Sequence, residues 1–298
     1  MAEARVERGA PAVVSGVSPR VKNIGAAAFK YAILILFAVI TLYPLLLVVS
    51  TALKDPTDIT TDPFALFTSL DVGTLGDAWT LGGFGGYAFN TVYITLPTVA
   101  GVIVLSTLAG YALARFEFPM RNLVFFTFML GLMIPFTSVM IPLFYLLRDL
   151  QLLGSLWAVI LPGVAGSAGF GVPLGVFLMR SFYQDLPGEL AEAARVDGAT
   201  EFQVFRRVML PLSAPGVAVL GVLVFFQTWN QFLMPLLFLP GEENRPLSTG
   251  LYIFASGRTQ EYELIAAGSI IMIVPVVIIF VIFQRQFVKG ITAGALKG

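Results

Sequence analysis

The chain has 298 residues, 57% of them hydrophobic and 12% charged, with a mean hydropathy of +0.86. A soluble domain carries roughly 25% charged residues, so half that share points to an integral membrane protein. Eighteen basic residues balance eighteen acidic ones, which leaves no field for nucleic acid. There is no Cys and no His, which removes disulfides, thiolate metal sites, the commonest metal ligand and the commonest general base.

Residues 1–29 read as a polar N-terminal tail rich in small side chains, expected to be disordered at its start. Six segments then match the ~20 apolar residues that a spanning helix needs. They cover Tyr31–Leu53, Tyr87–Leu113, Leu123–Leu147, Leu156–Met179, Leu212–Leu239 and Leu264–Phe283, and none contains Asp, Glu, Lys or Arg. Their apolar runs are continuous, which argues for helices and against an alternating outer-membrane barrel. The first segment, in a region set at 30–53, is too long for a signal-peptide core and lacks a clear cleavage site, so an uncleaved helix is expected. A long external loop at 54–86 follows, ending in the flexible "GGFGG" at 82–86. No internal repeat is visible.

Lys and Arg fix the orientation. With six spans, one side holds residues 1–30, the turn "ARFEFPMRN", residues 180–211 and the tail 285–298. That side carries fourteen basic residues against four on the other, namely Lys54, Arg148, Arg245 and Arg258. Both termini and residues 180–211 are therefore expected in the cytoplasm. The acidic residues split eight and ten, so the bias belongs to Lys and Arg.

Absences narrow the mechanism. Ion-driven carriers usually hold an ionisable group in the membrane, and these six segments hold none. A sodium site built from carbonyls and hydroxyls stays open. The phosphate-cradling "GxxxxGK[ST]" is missing, so ATP-driven transport would need a separate nucleotide-binding chain. The fourth segment contains "LPGVAGSAGFGVPLG", and the third has Pro135 and Pro142. Close helix packing and a moving gate both fit these residues. In the fifth segment Gln227, Asn230 and Gln231 fall at i, i+3 and i+4, on one helical face. Amides in hydrocarbon need partners, so they either bond another helix or line a watery path suited to a polar solute.

The stretch 186–212 is the polar exception: "LPGELAEAARVDGATEFQVFRRVMLPL". Pro187 suits a helix start, and "GELAEAARV" is rich in helix formers. Leu190, Ala193 and Ala194 share one face, a shallow one that suits docking into a groove. Arg195 follows Glu192 by three residues. Gly198, after Asp197, fits a left-handed helix end. "TEFQ" at 200–203 fits a capping box that opens a second helix, with Phe202, Phe205 and Met209 along one side. The first helix is short and marginal alone, so it needs a surface to lie on.

This stretch resembles the EAA loop of permease subunits in ABC importers. The match covers Glu192, Ala193, Ala194, Gly198, Val208, Leu210 and Pro211, with Val208 where the family often has Ile. The tail "FVKGITAGALKG", together with "IPLFYLL", "GVFLMRSFYQDLP" and "NTVYI", is similar to the carbohydrate, maltose-transporter class of these permeases. The resemblance runs from about Lys22 to Gly298. It implies an all-α membrane protein of six helices, with a permease core at 87–284 formed by the last five and a coupling loop at 180–211. It implies that Leu190, Glu192, Ala193, Ala194, Arg195, Asp197 and Gly198 couple the chain to a dimeric cytoplasmic ATPase. Glu192 would face a basic residue of that ATPase, and the tail after Gly290 would reach its side. A second, homologous permease subunit, an extracytoplasmic solute-binding protein and membrane lipid are the other implied partners. ATP and Mg would be bound by the ATPase, and no metal or cofactor by this chain. The rival readings are an autonomous carrier or uniporter for a small polar solute and a membrane enzyme.

Overall fold

The computed structural model describes the backbone of residues 19–167, 169–255 and 261–295, with side chains between 27 and 284 apart from 168, 253, 254 and 256–260. Residues 1–18 of the tail expected at 1–29, Arg258, and the side chains of the C-terminal segment from 285 onward lie outside the described residues. Every element described is helical, and no strand occurs among the described residues.

Contacts divide the chain into two compact units, Met1–Leu47 and Val48–Gly298. The described part of the first is most of α1 (Pro19–Thr51), which starts within the segment expected as tail. Ala27–Thr51 has a mean hydropathy of 2.9, and Phe29 to Tyr43 carry their large apolar side chains exposed. This is the surface of a helix solvated by lipid rather than water.

The second unit holds the remaining helices. The segment expected as an irregular external loop at 54–86 contains α2 (Pro56–Thr61) and α3 (Gly73–Thr80). Pro56 sits in the first turn of α2, and Asp55 caps it by accepting from the Thr57 N–H. The buried Lys54 closes the same turn by donating from Nζ to the Asp62 carbonyl at 2.9 Å. Gly83, at φ 71°, then turns the chain into α4 (Phe84–Arg115).

The expected third, fourth and fifth spans are each broken. α5 (Arg121–Met133) and α6 (Phe136–Asp149) meet at 98°, because Pro135 lacks an N–H and forces Ile134 into an extended conformation. The fourth segment becomes α7 (Trp157–Ala165) and α8 (Val172–Asp185). The loop between them has Gly166 at φ 94° and Gly169 at φ 105°. After α9 (Glu189–Val196) and α10 (Glu201–Leu212), α11 (Ala214–Trp229) leaves at 73°. The fifth segment is then continued by α12 (Leu233–Phe238) after a non-helical Asn230–Phe232. α13 (Leu247–Ala255) and α14 (Tyr262–Ala295) complete the chain, α14 running through most of the expected tail at 285–298.

Among the described residues, by length and composition, three helices can cross a membrane, or up to five if each bent pair counts as one span. The centre of the unit is the crossing of α4 with α8. A Cβ on Gly110 would lie 2.8 Å from the Met179 Cβ and 2.9 Å from the Arg180 backbone nitrogen. Gly175 faces Ser106 just as closely. Small residues let these backbones approach, and dispersion rather than solvent exclusion holds them in lipid.

Candidate functional site: the polar-loop helices and the break in the fourth segment

The polar stretch folds as two short helices on an aromatic base. α9 ends in a Schellman motif: the Ala199 N–H donates to the Ala194 carbonyl and the Gly198 N–H to that of Arg195, both at 3.0 Å, with Gly198 at φ 82°. α10 begins two residues later with a capping box. The Gln203 N–H donates to the Thr200 hydroxyl, and the Thr200 N–H donates to the Gln203 side chain at 2.8 Å. The loop joining the helices is therefore closed by bonds at both ends.

Beneath them Ala191, Val204, Phe205 and Met209 are buried with Tyr111 of α4 and with Met179 and Tyr183 of α8. The Tyr111 ring centroid lies 5.1 Å from that of Phe205 and 5.4 Å from that of Tyr183. The Tyr183 and Ser213 hydroxyls are hydrogen-bonded at 3.1 Å. Arg115, in the last turn of α4, donates from Nη2 to the carbonyls of Tyr183 at 2.6 Å and Leu186 at 2.5 Å. It caps the open end of α8 and pins the entry of the loop to α4. Residues 205–209 adopt a π-helical turn, whose Leu210 N–H reaches the Phe205 carbonyl. Such turns insert one residue and are frequent at functional sites.

Four sequence expectations change here. The shared face of Leu190, Ala193 and Ala194 is divided: Ala194 packs inward beside the buried Ala191, while Leu190 and Ala193 are exposed. Phe202 does not join Phe205 and Met209 in the core but is 64% exposed. Arg195 pairs with Glu201 rather than with Glu192, its Nε lying 2.6 Å from the carboxylate. That bond holds the Glu201 carboxyl below its ordinary value and raises the Arg195 guanidinium. Glu192 is left exposed beside Leu190, Ala193 and Val196, the last 88% exposed. Asp197 is also exposed and forms the end of α9. Pro187 lies before α9 instead of in its first turn.

Deeper in the chain, the three amides do not form one helical face. α11 ends at Trp229, so Asn230 and Gln231 lie beyond it. Gln227 reaches the break in the fourth segment, where its Oε1 accepts from the Phe170 N–H at 2.9 Å. Asn230 donates to the Phe226 carbonyl of α11. Gln231 accepts from the Phe232 N–H at 3.2 Å, and its carbonyl accepts from Ser248. From Arg180 back to Gly171 is nine residues, about 14 Å of helix and near half of a ~30 Å hydrocarbon core. Gly169 and Phe170 are exposed at that depth. Non-helical backbone is tolerated there only when protein covers it or water lines it.

The profile of the family described as binding-protein-dependent transport system inner membrane component matches residues 102–293. The chain belongs to this family. An arabinooligosaccharides transport system permease protein, AraQ, from Halalkalibacterium halodurans is 39% identical over 249 residues, covering 83% of each chain. A diacetylchitobiose uptake system permease protein, NgcG, from Streptomyces coelicolor is 33% identical, covering 91% of this chain and 89% of its own length. The solved structure of a bacterial ABC transporter involved in the import of the acidic polysaccharide alginate contains a chain of the same fold. It has a TM-score of 0.79 at 23% identity and covers 92% of this chain and 100% of that one.

The chain is thus an inner-membrane, multi-pass permease subunit of an ABC importer. In this permease the residues that sequence reasoning missed are the ones under the loop. Ala191, Tyr111, Tyr183 and Arg115 come from three helices, and no spacing within one helix brings them together. Glu201 lies six residues from Arg195, across a turn, and so outside the i, i+3 and i, i+4 rules.

Proposed function

We propose that this permease imports a sugar or oligosaccharide by alternating access. A separate dimeric ATPase, which binds ATP and Mg, drives it through α9. A second homologous permease subunit and an extracytoplasmic solute-binding protein complete the importer. The chain crosses the membrane six times with both termini in the cytoplasm. The observation that carries the coupling is the divided face of α9. Ala191 and Ala194 tie the helix to α4 and α8, while Glu192, Leu190, Ala193 and Val196 point away as a shallow outer surface. A push on that surface is transmitted to the α4–α8 crossing because the loop is capped at both ends and has no slack.

The carbohydrate assignment rests on the relatives, whose names specify arabinooligosaccharides, diacetylchitobiose and trehalose. A sugar needs many donors and acceptors along its path. The break at Gly169–Phe170, held by Gln227, offers exposed backbone groups and an aromatic ring, with Asn230 and Gln231 on the same stretch of chain. Uptake of labelled oligosaccharides by the reconstituted importer, across a panel of sugars, tests this reading. Polyol or peptide uptake with no sugar uptake would reject it. An autonomous carrier would instead transport with this chain alone.

A further inference from the structure

The polar loop passes into α11 through a bend at which two prolines withhold backbone donors. Residues 201–212 and α11 meet at 73°. Pro211 and Pro215 flank the corner and supply no N–H, and the π-helical turn at 205–209 runs into it. Side chains close the corner instead. Ser213 is fully buried there, and its Oγ lies 2.9 Å from the Leu210 carbonyl and 3.1 Å from the Tyr183 hydroxyl of α8. A serine hydroxyl has one proton, which goes to the carbonyl, so the phenol donates to Ser213. Tyr183 is fully buried as well.

This bond is one of two that tie the fifth segment to the fourth. At the far end of α11, Gln227 Oε1 accepts from the Phe170 N–H at 2.9 Å. Phe170 and Tyr183 are thirteen residues apart, and Ser213 and Gln227 fourteen, so the two ties close stretches that are each about 20 Å long. The stretches run antiparallel, and their lengths match. Between the ties the helices pack closely. A Cβ on Gly216 would lie 2.7 Å from the Phe182 ring, and one on Gly175 would lie 3.3 Å from the Leu220 side chain.

The near end of this pair is the polar loop, and the far end is the break between α7 and α8. A displacement of α9 and α10 enters α11 at Ser213. A corner free to flex would absorb it there. A corner locked to Tyr183 makes α8 and α11 move as one against α7, and the break takes up the motion. We infer that Tyr183 and Ser213 are positioning residues for coupling: their buried hydroxyl pair locks the bend, so that motion of the loop reaches the break through α8 and α11. Coupling through α9 is the premise of this inference, and the route from the loop to the break is its addition.

Hydrogen exchange of the complete importer, this chain with its co-purified permease partner, ATPase and binding protein, tests the route without a solute. Exchange is followed without nucleotide and with ATP, Mg and vanadate. In the wild type, peptides holding residues 189–196 and 169–171 should both change their exchange when nucleotide is trapped. Tyr183→Phe and Ser213→Ala should each keep the change at 189–196 and reduce the change at 169–171 about fivefold. The double variant should be no worse than the worse single one, because both remove one bond. Leu147→Ala, which empties a buried position of α6, should lower the melting temperature and keep both changes, so a general loss of stability does not mimic the effect. Three results would overturn the route and leave coupling through α9 standing: a wild-type change at 189–196 with none at 169–171, a full change at 169–171 in both variants, or loss of the change at 189–196 in either. No change at 189–196 in the wild type would overturn the coupling reading and the route with it.

Discussion

The proposed coupling loop and the break in the fourth apolar segment are both departures from continuous helix, and they are built in opposite ways. In the loop, a Schellman motif, a capping box and an ion pair satisfy the ends of α9 and α10 locally. At the break, Gly166 and Gly169 take left-handed conformations, and a side chain from another helix, Gln227, accepts the Phe170 N–H. One departure closes on itself. The other depends on a neighbour and changes when that neighbour moves. A transporter driven from the cytoplasm needs a stiff piece to receive force and a yielding piece near the solute.

The sharpest way to break this comparison is at Gly198. A Cβ there would meet nothing within 4 Å, so space is not the constraint; φ 82° and the docking surface are. Gly198→Glu should reduce uptake to background at normal membrane levels while ATP hydrolysis persists. Gly198→Asn, which tolerates this conformation, should keep most of the uptake. Equal uptake by Gly198→Glu and the wild type would remove the loop from coupling.

The next effect concerns the crossing through which the loop acts. Gly110→Ala forces a methyl group against Met179 and the Arg180 backbone. It should cost about 1–3 kcal/mol, read as a lower melting temperature of the purified chain. Gly76→Ala, where nothing lies within 4 Å, should melt near the wild type.

A smaller effect is expected at the break. Gln227→Leu leaves the exposed Phe170 N–H without its acceptor, a loss of about 0.5–1.5 kcal/mol. Uptake should show a raised KM and a changed preference among sugars. A pure change in protein abundance, with KM and preference retained, would confine Gln227 to a packing role.

The smallest effect belongs to the Arg195–Glu201 pair. Both side chains are well exposed, at 38% and 47%, so the pair contributes under ~1 kcal/mol. The Glu201 carboxyl is lowered on folding, so its contribution is complete above the ordinary carboxylate value and is lost as pH falls through the lowered one. Glu201→Gln should flatten the acid limb of the melting profile slightly, and salt should mask the difference.

Legibility in the sequence follows the same division. The capping box at Thr200–Gln203 and the left-handed Gly198 are local devices, and local spacing identifies them. The EAA pattern is local too. The membrane breaks were not legible, because apolar composition carries no helical period when all sides are apolar. Pro135 and the glycines at 166–171 signal a disturbance without stating that the helix ends there. The amides at 227, 230 and 231 were placed on one face only by assuming a helix that stops at Trp229. The inward role of Ala191 was equally hidden, since which alanines face the core depends on where Tyr111, Tyr183 and Phe205 arrive from.

The central claim is that a separate ATPase moves these helices through α9. It is tested most directly by solute uptake into proteoliposomes holding this chain alone, and then with its co-purified permease partner, ATPase and binding protein. The account predicts no uptake by the chain alone and ATP-dependent uptake by the complete assembly. Uptake by the chain alone, unaffected by adding the ATPase and ATP, would contradict it.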